Sequence, residues 1–277
     1  SNYIGAAVSR SKMKIVWWTK VGDDGAAGDF YYIYNYGSGW NGPVVTSLAP
    51  YNYISYIHSA FADNDHLEIL GHMITGKYQS ASRPGSDQER HKDYVLAAKL
   101  KIGSKLPIND ILSTPDLGIQ VWHEADIWVD PTSKDVHALA MTNEGGSAYF
   151  FRPAADSWSG HTASIALFEN GYRARFIYTN SGRFFVVKGA YRKTGGDFHN
   201  GGVKLLELKR PQPGTTINWE QARDIPLSPP SIDMGIPSAI WVEAPIYQTN
   251  QFISGDFAVS GTKYIDDNQI WQTEINE

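Results

Sequence analysis

Short runs of alternating apolar and polar residues, broken by Gly, Asp, Asn or Pro, fill this chain from end to end. The first runs are I-G-A-A-V-S-R-S from Ile4, K-I-V-W-W-T from Lys14 and D-F-Y-Y-I-Y-N from Asp29, closed by the corner Gly39-Trp40-Asn41-Gly42-Pro43. Val, Ile, Tyr, Phe and Trp suit a pleated, half-buried surface, so each run predicts a β-strand. Asp24-Gly25 is a turn signal, because Gly accepts positive φ without a steric cost. A single unit of this kind has open edges and too little core to stand alone, which predicts that it repeats.

Four further units follow. The second carries Y-I-S-Y-I-H-S-A-F from Tyr53 and D-H-L-E-I-L-G-H-M-I-T from Asp65; the third carries V-W-H-E-A-D-I-W-V from Val121 and closes on Asp156-Ser157-Trp158-Ser159-Gly160. The fourth opens with G-Y-R-A-R-F-I-Y at Gly171 and closes near Trp219, and the fifth opens with S-A-I-W-V-E at Ser238. Unit starts at Tyr3, Tyr53, Ile119, Tyr172 and Ser238 give steps of 50, 66, 53 and 66 residues. Periods of this size with about four strands each predict the blades of a propeller. The expected fold is therefore all-β: one domain over 1–277, a single β-propeller of five four-stranded blades near 1–50, 51–117, 118–170, 171–236 and 237–277. Residues 92–101, which taken alone could be helical, fall at a third-strand position. The last run, 269–275, either completes its own blade or pairs with the first strand to close the ring and remove exposed edges.

Composition narrows the function. The net charge is −5 and the basic residues are dispersed, against the basic stripe that nucleic acid demands. No apolar run is long enough to span a bilayer as a helix. With no cysteine, disulfides, thiol nucleophiles and cysteine-ligated zinc are excluded. No signal peptide and no N-x-[ST] sequon is visible, and no pattern implies a cofactor or metal site. His66 and His72, six residues apart on one strand, would stand about 20 Å apart. Residues 79–92 and 193–202 read as surface loops, because they are rich in Gly, Pro and charge.

In its first unit, I-G-A-A-V-S-R-S, K-I-V-W-W, D-G and G-W-N-G-P, the chain resembles the bacterial and fungal propeller lectins, the fucose-specific ones included. The second unit keeps D-H-L-E-I and the third the D-S-W-S-G corner; the fourth and fifth depart from the pattern. The resemblance implies glycan partners, a secreted or extracellular protein, and sugar pockets built from an Arg, a carboxylate and aromatic rings. Carried over by position, the candidates are Arg10, Trp17, Trp18, Asp29, Tyr31 and Trp40. Arg offers several fixed donors to hydroxyls, and an aromatic face packs on the C–H side of a pyranose. Trp17 and Trp18 alternate faces, so at least one belongs to the packing between blades.

A second constellation follows from the propeller expectation, in which first strands line the axis. They carry His58; His123, Glu124 and Asp126; Tyr172, Arg173 and Arg175; and Trp241 and Glu243. Residues two apart share a strand face, which pairs Arg173 with Arg175, Glu124 with Asp126 and Trp241 with Glu243. Three readings stand: a salt-bridge set in which the arginines meet Glu124, Asp126 and Glu243, a funnel for a polar ligand, or catalysis. In the last, an Arg neutralises a uronate while His123 and a tyrosine such as Tyr172 move the proton, which resembles propeller polysaccharide lyases. The pair Asp126 and Glu243 would instead suit a glycoside hydrolase. A lectin-like carbohydrate-binding protein is the leading expectation, ahead of a lyase or glycosidase and of a structural or protein-binding propeller.

Overall fold

The structure is a computed structural model that describes residues 3–9, 11–20, 27–51, 53–75, 92–108, 121–142, 147–158, 166–168, 172–179, 182–194, 197–209, 211–225, 237–243, 252–253, 257–263 and 270–275, some by backbone alone. Among the described residues the regular elements are strands, with one 3-10 turn at Trp219–Gln221. They form five small sheets in chain order. Sheet one is β1 (Ile4–Val8), β2 (Lys14–Lys20), β3 (Asp29–Asn35) and β4 (Asn41–Ser47), paired antiparallel in sequence. Sheet two is β5 (Tyr53–Phe61), β6 (His66–Thr75) and β7 (Lys92–Lys101), the last being the stretch that could have been helical.

Sheet three joins β8 (Val121–Val129), β9 (Val136–Thr142), β10 (Ser147–Arg152) and β11 (Ala166–Phe168). Sheet four joins β12 (Tyr172–Thr179), β13 (Phe184–Thr194), β14 (Asp197–Leu208) and β15 (Arg223–Ile225). Sheet five holds β16 (Pro237–Glu243), β18 (Phe257–Lys263) and β19 (Ile270–Ile275). Between β16 and β18, β17 (Phe252–Ile253) leaves sheet five and pairs parallel to β12, Tyr178 opposite Phe252.

Sheets one to four pack face to face in succession, and neighbouring residues of one strand divide between two cores, as a period of two requires. Ile15, Trp17, Phe30 and Tyr32 of sheet one meet Ile54, Leu67, Ile69 and Leu100 of sheet two. Leu70 and Ala97, on the other face of sheet two, meet Ile127, Val129, Ala138 and Phe150 of sheet three. Trp128, Leu139 and Tyr149 then turn to Phe176, Phe184 and Leu206 of sheet four. First strands also lie side by side: β1 against β5, β5 against β8, β8 against β12, and β12 against β16. That succession sets the first strands in a row.

Two sequence expectations change here, and one left between two outcomes is decided. Residues 193–194 and 197–202, expected in a loop, are strand: Tyr191 to Thr194 pair with Asp197 to Asn200 and lengthen the β13–β14 pairing. The two tryptophan corners match in position but not in environment: Trp40 is 52% exposed, whereas Trp158 is buried beneath Arg152, 5.2 Å from its guanidinium carbon. Finally, β19 pairs with β18 and completes its own sheet, and the outer face of sheet one stays open, with Ile4 75%, Val8 45% and Val45 40% exposed. The loop expected at 79–92 lies outside the described residues except for Lys92, the first residue of β7.

Candidate functional site

The lectin-type candidates separate into a core residue, a platform and a distant corner. Trp17 is directed into the first core and is only 4% exposed. It lies against Gly5, its cross-strand partner, and its Nε1 donates to Ser59 Oγ at 3.3 Å. Trp17 is thereby a packing residue, not a sugar contact. Trp18, one position on, faces the open side of sheet one. Its ring lies parallel to that of its cross-strand partner Tyr31, with centroids 5.5 Å apart and planes 5° apart.

The Tyr31 hydroxyl donates to Asp29 Oδ2 at 3.1 Å, and its pKa is raised by partial desolvation first and by the Asp29 hydrogen bond and charge next. Trp18, Tyr31 and Asp29 therefore form one half-buried group of two flat rings and a carboxylate. Trp40 follows the opposite end of β3, beyond Tyr34, which pairs with Asn41. Strand rise puts that end about 10 Å from Tyr31. The six lectin-type positions are not one pocket, and Arg10 lies outside the described residues.

On the first strands the structure brings together side chains from sheets two, three and four. His58 on β5 has Nδ1 4.0 Å from Asp126 Oδ1 on β8. Asp126 is 1% exposed and clamps the strands: Oδ1 accepts the Ile127 amide at 2.9 Å, and Oδ2 accepts the Phe176 amide on β12 at 2.6 Å. These bonds make Asp126 an anchor between sheets three and four rather than the open carboxylate of a glycosidase pair. Arg175, half-buried beside Phe176, donates through Nη1 to Ala174 O at 3.2 Å. The His58 imidazole is driven well below its ordinary pKa, by burial first and by the Arg175 charge second, so it is neutral at pH 7.

The rule that residues two apart share a face fails at the two places where it was most needed. β12 shifts register between Tyr172 and Arg175, and β8 between Val121 and Ala125, so simple alternation does not run from Arg173 to Arg175 or from Glu124 to Asp126. β5 shifts likewise between Ser55 and His58. Along β16, Trp241 and Glu243 keep a regular register opposite Ser260 and Ala258. His123, Glu124, Tyr172, Arg173, Trp241 and Glu243 thus sit on first strands, where the backbone is what the structure describes. His58 belongs with this set in chemistry, although its run S-Y-I-H-S-A-F gave no reason to prefer it to His123. Among the described residues, no group of three His, Asp or Glu is arranged to hold a metal.

A third polar group was missed in sequence. Arg152 on β10 and Glu68 on β6, 84 residues apart, form a buried pair at 2.5 Å, and Arg152 Nη1 also donates to Asp156 O. Burial raises the Glu68 carboxyl and the Arg152 charge opposes it. The pair is buried and joins sheets two and three, which gives it a structural role.

No protein-family model and no curated protein matches the chain. Among solved structures, it is similar to the polysaccharide lyase Uly1, at 11% identity and a TM-score of 0.54, over 99% of this chain. The chain spans 58% of the length of that lyase. It also aligns with a GH62 hydrolase in complex with xylotriose (12% identity, TM-score 0.45, 99% of this chain and 90% of that one). For the lectin BP39L from Burkholderia pseudomallei the values are 12% and 0.45, over 99% of this chain and 81% of that one. What the likeness to the lyase shows is a shared fold of small antiparallel sheets.

Proposed function

We propose that this chain is a secreted, lectin-like carbohydrate-binding protein whose five sheets are propeller blades of one domain. The observation that carries the binding reading is the parallel Trp18–Tyr31 pair, joined to Asp29 on the face of sheet one where Ile4, Val8 and Val45 are exposed. Ring faces suit the apolar side of a pyranose, and the Asp29 carboxylate accepts from hydroxyls at its edge. The adjacency of successive first strands supports the propeller reading, and the dispersed charge supports glycans over nucleic acid as partners. His123, Glu124, Arg173, Arg175, Trp241 and Glu243 belong to a separate polar line on the first strands, and the lyase named above is in accord with a carbohydrate ligand.

The test is a glycan array followed by calorimetry on any hit. Trp18→Ala is expected to weaken binding about 10- to 100-fold, the scale of one lost aromatic contact, with the melting temperature unchanged within a few degrees. An array without a single hit overturns the reading.

A further inference from the structure

The face of sheet one that turns away from sheet two is regular enough to be taken row by row. In β2 the buried Ile15, Trp17 and Thr19 alternate with Lys14, Val16, Trp18 and Lys20, so these four share the outer face. The antiparallel register carries one row across all four strands: Ile4 opposite Trp18, Trp18 opposite Tyr31, Tyr31 opposite Val45. Its order is aliphatic, aromatic, aromatic, aliphatic, the same from either edge. Val16 opposite Ile33 repeats that symmetry on the two middle strands. At one end of those strands Lys20 stands opposite Asp29, one charge of each sign on either side of the midline. Ile4 and Val45 are exposed at the rims of the row, and Trp18 and Tyr31 between them are half-buried.

A patch that matches itself from both edges is what an isologous contact requires, because a two-fold axis lays the patch on its own copy. We propose that this face is the contact between two copies of the chain, with the two-fold axis lying along the strands between β2 and β3. That axis keeps the strands of both sheets aligned, the ordinary arrangement of sheets packed about 10 Å apart. It sets Trp18 over Tyr31 of the second copy, and Ile4 over Val45 of the second copy. It also sets Lys20 over Asp29 of the second copy, twice, so the four charges alternate in sign around a square. A two-fold axis across the strands would instead bring Lys14 over Lys20, like charge on like, and is disfavoured. Four strands of about seven residues cover about 450 Å² on each copy, or about 900 Å² in total, short of the roughly 1,200 Å² at which stable interfaces begin. The dimer is therefore weak and dependent on concentration. It covers Trp18 and Tyr31, so the dimer and a pyranose on those rings exclude each other. The inference goes beyond the carbohydrate reading and does not rest on it, since it uses only the register, exposure and charge of the face.

The experiment is sedimentation equilibrium of the whole chain, without glycan, from about 1 µM to about 300 µM, the range in which so small an interface forms. The expected result is a reversible monomer–dimer equilibrium with its midpoint above about 10 µM. Lys20→Glu is expected to weaken the dimer about 10-fold by setting like charge against Asp29, and Asp29→Lys added to it is expected to restore the dimer to within about threefold. Cross-linking reads the axis separately, because the chain has no cysteine of its own. A mixture of Ile4→Cys and Val45→Cys at the upper concentration is expected to give a covalent dimer with a short bis-maleimide. Either variant alone is expected to give little, since the two copies of position 4 stand about 14 Å apart sideways, three strand spacings. A monomer throughout the range, growth into larger species with no dimer plateau, a charge reversal that fails to restore the dimer, or equal cross-linking by the mixture and by each variant overturns the proposal. Should a charge variant unfold by circular dichroism, the cysteine mixture decides. The glycan array is run at the lower concentration, where the chain is monomeric, so the two readings fail apart.

Discussion

Trp17 fits because Gly5 has no side chain: a Cβ there would run into the indole ring, which backs onto the first core. Gly5→Val is therefore expected to destabilise the chain by about 1–3 kcal/mol, the usual penalty of overpacking, read as a lower midpoint in urea. The Glu68–Arg152 pair makes a different prediction. Arg152→Met alone leaves a buried carboxylate without its partner and should cost about 3–5 kcal/mol, whereas Glu68→Leu with Arg152→Met should recover most of that loss. A denaturant double-mutant cycle measures both. A trace of this pair was legible beforehand, since a lone Glu within H-L-E-I-L and a lone Arg after Y-F-F each break an apolar run. Which charge answered which was not, because 84 residues and two sheets separate them.

At the scale of elements, strand existence was legible because Val, Ile and aromatic runs recur, and even 92–101 fell at its third-strand position. Side-chain direction was not. Alternation depends on an unbroken register, and β5, β8 and β12 lose theirs just before His58, Asp126 and Arg175, so spacing alone could not bring His58 to Asp126. The junction of sheets three and four supplies a pH prediction. His137 on β9 bonds the Tyr149 hydroxyl at 2.7 Å, and that oxygen accepts the Ile217 amide at 3.0 Å. Burial pushes the His137 pKa down to about 3, against about 6.5 in an unfolded chain. Between those values the unfolded chain binds the extra proton, so the contribution of His137 is full above pH 6.5 and drains as pH falls toward 3. Stability should decline by up to a few kcal/mol over that window, and His137→Phe should flatten the melting-temperature profile there.

For the whole molecule, sheets one to four stack in order, and the outer face of sheet one carries exposed apolar side chains. The repeat count anticipated the stack; it could not anticipate the open end, because Ile4, Val8 and Val45 read like any half-buried strand residue until a neighbour is or is not there. Single exposed apolar side chains are ordinary, but several on one face favour association at high concentration. Ile4→Lys with Val45→Glu is expected to leave the melting temperature within about two degrees and to reduce binding of an apolar dye. A large loss of stability would mean that the face is covered after all.

The short strand Phe252–Ile253 has a mechanical meaning. Because the chain leaves β16, ties itself to Tyr178 and Thr179, and returns to make β18, sheet five is sewn to its neighbour by a backstitch. A force that drags the 257–275 hairpin outward must first draw that thread tight against β12, so the last sheet cannot peel away and leave the fourth undisturbed.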